Sequence, residues 1–307
     1  MRGSSILLIL FILSAGLLGG CGSSEKTPYI DFRRSSETVL APSKGEAEPV
    51  RIGLATVMSP QETIGYYRTI ADYVSRQTGR PAVLIQRKTY AEVNMLLANG
   101  EVDIAFSSTG AFSAYRGINE IELLAMAEHG GNSLYDAEVI VHKDSTIQSL
   151  DDLQGKTFAF TDPLSYSGHM AIEGYLHTRN TLPERFFKRY FYTYSHDKSL
   201  WAVANKIADG ASFDSQIYEY AQQKDPELAD QVRIIAVIGR APTGPIVVQK
   251  SLNPDQKELL REVFIHMHED LKASGAMRGL IIDRFVMPVP ELYEPLRKLY
   301  DRASTIL

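Results

Sequence analysis

The sequence predicts an α/β fold of two lobes with a ligand cleft between them, and three observations lead there. Strand-like and helical stretches alternate from residue 50 onward. The first two crossovers have the strand, helix, strand order that builds a parallel sheet covered by helices on both faces. The two most hydroxyl-rich strand-to-helix junctions, "SSTGAF" (107 to 112) and "DPLSYSGHM" (162 to 170), fall in different halves of the chain. Ligands of open α/β sheets bind beyond the carboxyl ends of strands, so two such junctions point to one cleft closing between lobes.

The elements follow in order. "VRIGLAT" (50 to 56) and "AVLIQR" (82 to 87) read as strands, and the intervening "ETIGYYRTIADYVSRQTG" has helical periodicity ending at Gly79, a residue that tolerates the left-handed backbone of a helix stop. "YAEVNMLLANG" is a second helix, stopped by Gly100, and "VDIAFSS" a third strand. Further strands are "IELLAMAE", "AEVIVHK", "TFAF", "RYFYTY", "SFDSQ", "VRIIAVIG" and "PIVVQK", with helices at 168 to 178 and 198 to 208. From Pro254 the chain reads as mainly helical, through "PDQKELLREVFIHMHEDLKA" and "PELYEPLRKLY". The expected first lobe joins residues 50 to 138 with 244 to 307, the second spans 139 to 243, and the hinges lie near "AEVIVH" and "PTGPIVV".

The amino terminus stands apart from this pattern. Arg2 precedes the apolar run "ILLILFILSAGLL", too short for a comfortable membrane span and suited to an export signal. It closes on "LLGGC" with the chain's one cysteine, Cys21. That ending resembles the bacterial lipoprotein processing box, which implies that 1 to 21 are signal and lipobox and that lipidated Cys21 is the first mature residue. The alternative is an ordinary signal with an incidental cysteine. Residues 22 to 49, rich in Ser, Glu, Lys and Pro, read as a flexible tether, so the protein is expected in the cell envelope, facing the periplasm or the cell exterior.

With 44% hydrophobic and 22% charged residues, the composition is globular, and a net charge of -5 without a basic, aromatic-interleaved patch gives no reason to expect nucleic acid. Enzymatic readings fare poorly. The chain has no G-x-S-x-G elbow, no H-E-x-x-H and no G-x-x-x-x-G-K loop, and His266 and His268 lie on different faces of their helix. Neither a cofactor nor a metal is expected.

Several junction residues suit an oxyanion. Ser108 and Thr109, with Ser107, exceed the one hydroxyl a helix cap requires. In "LSYSG" the N–H groups after Ser165 are the unpaired donors of a helix start, and the hydroxyls of Ser165 and Ser167 add to them. His169 can simply face solvent. His196, after the strand "RYFYTY", can donate to an anion, while Asp197 reads as the cap of "KSLWAVANKI". Asp214 ends a short strand, where a carboxylate favours a ligand that brings its own proton, and Tyr90 and Tyr135 can form walls and supply hydroxyls. Each of these also has a purely structural reading as cap or packing residue. Tyr66 and Tyr67 read as packing.

From "VRIGLATVMSP" to "IVVQKSLNP" the chain resembles the phosphate-, phosphite- and phosphonate-binding proteins that serve bacterial ABC importers. "RIGL", "ANGEVDIAFSSTGAFSAY", "SLDDLQGKTFAFTDPLSYSGHM", "YSHDKSLWAV" and "ADGASFDS" occur in the family's order across roughly residues 50 to 253. The resemblance implies a type II periplasmic-binding-protein-like fold. It also implies that a phosphoryl group is held by Ser165, Tyr166 and Ser167 and by His196, with Tyr90, Tyr135 and Asp214 completing the pocket. Tyr166 departs from the family pattern, which has a small hydroxyl residue there. Its ring could fill space meant for a ligand substituent, or its hydroxyl could reach the ligand from another side. The usual proline a few residues after Ser-Gly is replaced by "HMAIEG". The expected function is a lipid-anchored binding protein that hands a small phosphorus oxyanion to an ABC permease. The alternatives are a module of the same fold feeding a membrane sensor, and a phosphate-ester hydrolase.

Overall fold

The computed structural model describes residues 47 to 55 and 57 to 304, so the signal, Cys21 and most of the tether lie outside the described residues. Eleven described strands form two sheets. The first contains β1 (Val50–Leu54), β2 (Ala82–Gln86), β3 (Ile104–Phe106), β4 (Ile121–Glu128), β10 (Pro245–Gln249) and β11 (Arg284–Val286), in the order β11-β4-β10-β3-β1-β2. The second contains β5 (Leu134–His142), β6 (Thr157–Phe160), β7 (Arg189–Tyr192), β8 (Gly210–Asp214) and β9 (Val232–Pro242), in the order β7-β6-β8-β5-β9.

The expected strand, helix, strand crossovers produce parallel pairing where they occur, at β1 with β2 and β3 and at β6 with β7 and β8. Both sheets are nevertheless mixed. β10 runs antiparallel to β3 and β4, and β5 antiparallel to β8 and β9. The reason lies in the connections: strands that leave a sheet for the other lobe, or return from it, are not joined to their neighbours by a helical crossover, so nothing imposes parallel order. β11, formed by "RFV", is a short edge strand in the stretch that reads as helical.

The chain passes between the sheets twice, at 129 to 133 and at 243 to 244. In the first passage Gly130 and Gly131 have φ of 57° and 73°, the left-handed pair a tight turn between the bridged residues His129 and Asn132 requires. The second passage is bonded to the first, Thr243 N–H donating to Ser133 C=O at 2.9 Å. The strand containing "AEVIVH" begins at Leu134 and belongs entirely to the second sheet, so residues 134 to 138 pair with β8 and β9. The carboxyl-terminal helix Glu294–Ser304 touches both lobes: Arg297 lies over the ring of Phe112, while Leu296 packs with Tyr135 and Tyr166.

Candidate functional site

All nine candidate ligand residues line one cavity of about 120 Å³ between the sheets. Tyr90, Ser108 and Thr109 reach it from the first lobe, and Tyr135, Ser165, Tyr166, Ser167, His196 and Asp214 from the second.

Two strand-to-helix junctions build its polar part. After β3, Ser108 caps the helix Thr109–Ala114 by accepting from the Ala111 N–H at 3.1 Å. Thr109 Oγ1 donates to the Pro242 carbonyl at 2.6 Å, tying the junction to the end of β9. After β6, Ser165 caps the turn Tyr166–Met170 by accepting from Gly168 N–H at 3.0 Å. That turn is π-wound, Met170 N–H reaching back five residues to the Ser165 carbonyl at 3.0 Å. The N–H groups of Tyr166 and Ser167 therefore precede the first intrahelical donor, Met170 N–H, as the orphan donors of a helix start do. The turn leads into the helix Ala171–His177.

The tyrosines stay neutral. Tyr90 and Tyr135 are buried, and loss of water pushes both hydroxyls well above their ordinary range, so each presents an O–H. The side chains of Ser167 and Thr109 oppose this rise at Tyr135 without outweighing burial. The Tyr166 hydroxyl abuts β9 at Gly239, where a Cβ would stand 2.2 Å from it, and its ring meets Tyr135 edge-on at 6.4 Å.

His196 opens the helix His196–Ala204, and burial lowers its pKa to about 4, so the ring is neutral. Its Nδ1 accepts from the Asp214 backbone N–H at 3.4 Å, which leaves Nε2–H as the donor the ring offers to the cavity it lines. Asp214 caps the helix Ser215–Lys224 by accepting from Gln216 N–H at 2.8 Å. Burial nonetheless raises its carboxyl to about 7, the Gln216 bond opposing and the charges of Glu138 and Glu219 adding to the rise. Neither lysine nor arginine is among the described lining residues. The side-chain donors there, tyrosine and serine or threonine hydroxyls and a neutral imidazole, carry no formal charge.

Two junction residues lie elsewhere. His169 turns away from the cavity, Nδ1 donating to the Pro163 carbonyl at 2.9 Å and Nε2 lying 3.2 Å from the Tyr192 hydroxyl. Asp197, expected as a local cap, is the second residue of its helix, whose N-cap is Ser195. Its carboxylate accepts instead from the Ser59 backbone N–H at 3.1 Å and from the Ser59 hydroxyl, across the cleft.

Sequence reasoning missed part of the wall. Tyr67, read as packing, lines the cavity with Thr63, four residues earlier on the same face of the helix Pro60–Thr78, and that spacing was a usable signal. Ile281 also lines it, at φ 60°, an unusual conformation for a β-branched residue that no sequence pattern announces.

The family model described as "ABC transporter, phosphonate, periplasmic substrate-binding protein" matches residues 52–293. A phosphonates-binding periplasmic protein of Escherichia coli is 26% identical over 239 residues, covering 76% of this chain and 70% of the relative. A phosphate-import protein of Mycolicibacterium smegmatis is 22% identical, covering 72% of this chain and 73% of its own. Among solved structures, the binding component of a Pseudomonas aeruginosa ABC phosphonate transporter superposes with TM-score 0.76 at 26% identity, over 84% of this chain and 88% of the other. A Prochlorococcus marinus protein solved with methylphosphonate shares the fold at TM-score 0.76 and 14% identity, over 84% of this chain and 98% of its own.

Proposed function

Because the chain belongs to the family of periplasmic substrate-binding proteins of phosphonate ABC transporters, we propose that its cavity captures a phosphorus oxyanion (phosphonate, phosphite or phosphate) for delivery to a membrane permease. One observation carries this reading: two helix starts and the Nε2–H of His196 meet at one cavity lined by neutral donors. Backbone N–H groups at helix starts suit tetrahedral oxyanions. A raised Asp214 suits a ligand that shares a proton with it.

In this reading the lobes swing about the two passages at 129 to 133 and 243 to 244 and close on the ligand, a hinge motion with no covalent step. Lipidated Cys21, followed by the tether, holds the protein at the cell envelope; the apolar run and "LLGGC" support that anchor. The test is calorimetric titration of the purified protein with phosphate, phosphite, methylphosphonate, aminoethylphosphonate and sulfate. Saturable binding of at least one phosphorus anion is expected, more tightly than sulfate. Binding of none of them, or turnover of a phosphate ester, would overturn the reading.

A further inference from the structure

Two ligand-facing segments of the second lobe carry a carboxylate that contacts the first lobe instead of the cavity. Beside His196, Asp197 accepts from the N–H and the hydroxyl of Ser59. Ser59 is the N-cap residue of the helix Pro60–Thr78 and makes no side-chain cap bond of its own. Before the "LSYSG" turn, Asp162 accepts from the Tyr90 N–H at 3.2 Å, the first N–H of the helix Tyr90–Ala98, and from the Leu164 N–H at 2.8 Å within its own loop. The two acids thus sit at helix starts of the opposite lobe, where unpaired N–H groups and the helix dipole favour negative charge. A third bond follows the same path, from the His196 N–H to the Val57 carbonyl at 3.0 Å. Neither Asp162 nor Asp197 is among the residues lining the cavity.

We infer that Asp197 and Asp162 are positioning residues that latch the closed cleft, so that the segments carrying His196 and Ser165 to Ser167 are locked onto the first lobe as they engage an anion. This rests on the binding function proposed above and names how that site is regulated. The physical logic is a population shift. Bonds that exist only when the lobes are closed lower the free energy of the closed state, and the apparent affinity of a ligand held by that state rises with its population. Asp197 is the stronger latch, since both its bonds cross the cleft, whereas one Asp162 bond survives opening.

The test uses the full chain carrying Cys21→Ser, with spin labels on Glu101→Cys and Gln222→Cys, exposed positions of the first and second lobes. Inter-label distances are measured with and without saturating methylphosphonate, alongside calorimetric affinity and the melting temperature of the ligand-free protein. Asp197→Ala should shrink the closed population and weaken methylphosphonate binding about tenfold, the order expected for a charge-assisted hydrogen bond. The ligand-free melting temperature should stay unchanged. Ser59→Ala should give a smaller loss and add nothing in the Asp197→Ala background, because both changes remove one contact. Wild-type affinity and a wild-type closed population in Asp197→Ala would overturn the latch. If the unsubstituted protein bound none of the anions, the proposed function would fail, and comparison of the closed populations without ligand would still decide the latch.

Discussion

The backbone N–H of Asp214 donates to Nδ1 of His196 at 3.4 Å, so the end of β8 sets the tautomer of a histidine that opens a different helix. The two residues also titrate in opposite senses. Burial lowers His196 from 6.5 to about 4 and raises Asp214 from 3.8 to about 7. Between about pH 4 and 6.5 the unfolded chain binds the extra proton at His196, so that residue makes stability rise with pH. Over nearly the same window the folded chain binds the extra proton at Asp214, which makes stability fall with pH. The two slopes, each about 1.4 kcal/mol per pH unit at most, oppose one another. Relative to the parent protein, His196→Gln should therefore lose stability as pH rises from 4 to 6.5, and Asp214→Asn should gain it. Urea unfolding at several pH values checks this, and parallel profiles for all three proteins would contradict it.

Asp214 should also discriminate between ligands. As pH rises through about 7 its carboxyl ionises and faces a bound anion without a proton between them. Sulfate carries no proton in this range, so its affinity should fall across pH 6 to 8 in the parent protein and stay level in Asp214→Asn. Asp214→Asn should lose more affinity for protonated phosphate or an aminophosphonate than for sulfate. Calorimetric titrations of both proteins would show whether the losses are instead equal.

The two serines of "LSYSG" have separable duties. Ser165 Oγ is engaged as the cap of its turn, so Ser165→Ala should cost about 1 kcal/mol of stability. Ser167 is not the cap, and it lines the cavity. Ser167→Ala should weaken anion binding by about 1 to 3 kcal/mol with a smaller effect on folding. Thermal melts beside binding isotherms separate the two effects.

Gly110 provides a steric test of closure. A Cβ there would stand 2.1 Å from the Leu164 carbonyl and 2.7 Å from the Tyr166 nitrogen, both on the opposite lobe. Gly110→Ala should hold the lobes apart and weaken ligand binding while each lobe stays folded. Gly168→Ala, whose Cβ would meet Thr161 at 2.4 Å within its own lobe, should destabilise that lobe instead. Melting curves and ligand-induced compaction distinguish the pair.

Cys21→Ser should abolish lipid attachment and leave residues 50 to 307 able to fold, because Cys21 closes "LLGGC" and is the chain's one cysteine. Mass spectrometry of the mature amino terminus provides the check, and an unmodified residue at a different start would count against the anchor.

The sequence alone carried the alternation that makes an α/β fold, since strand and helix periods are local properties of the side-chain pattern. It also marked the two hydroxyl-rich junctions, because a helix start needs acceptors and small residues wherever it lies. Ser108, Ser165 and Asp214 accordingly combine a cap role with a place on the cavity wall. Tertiary structure decided what no local pattern encodes. Mixed sheet order came from two passages between lobes, and the Leu134 start of the second sheet came from pairing with β8 and β9. The same holds for Asp197: by sequence its nearest orphan N–H groups belong to its own helix, yet folding brings Ser59, 138 residues away, within 3.1 Å. A hydrogen bond depends on distance in space, and sequence patterns report spacing only along the chain.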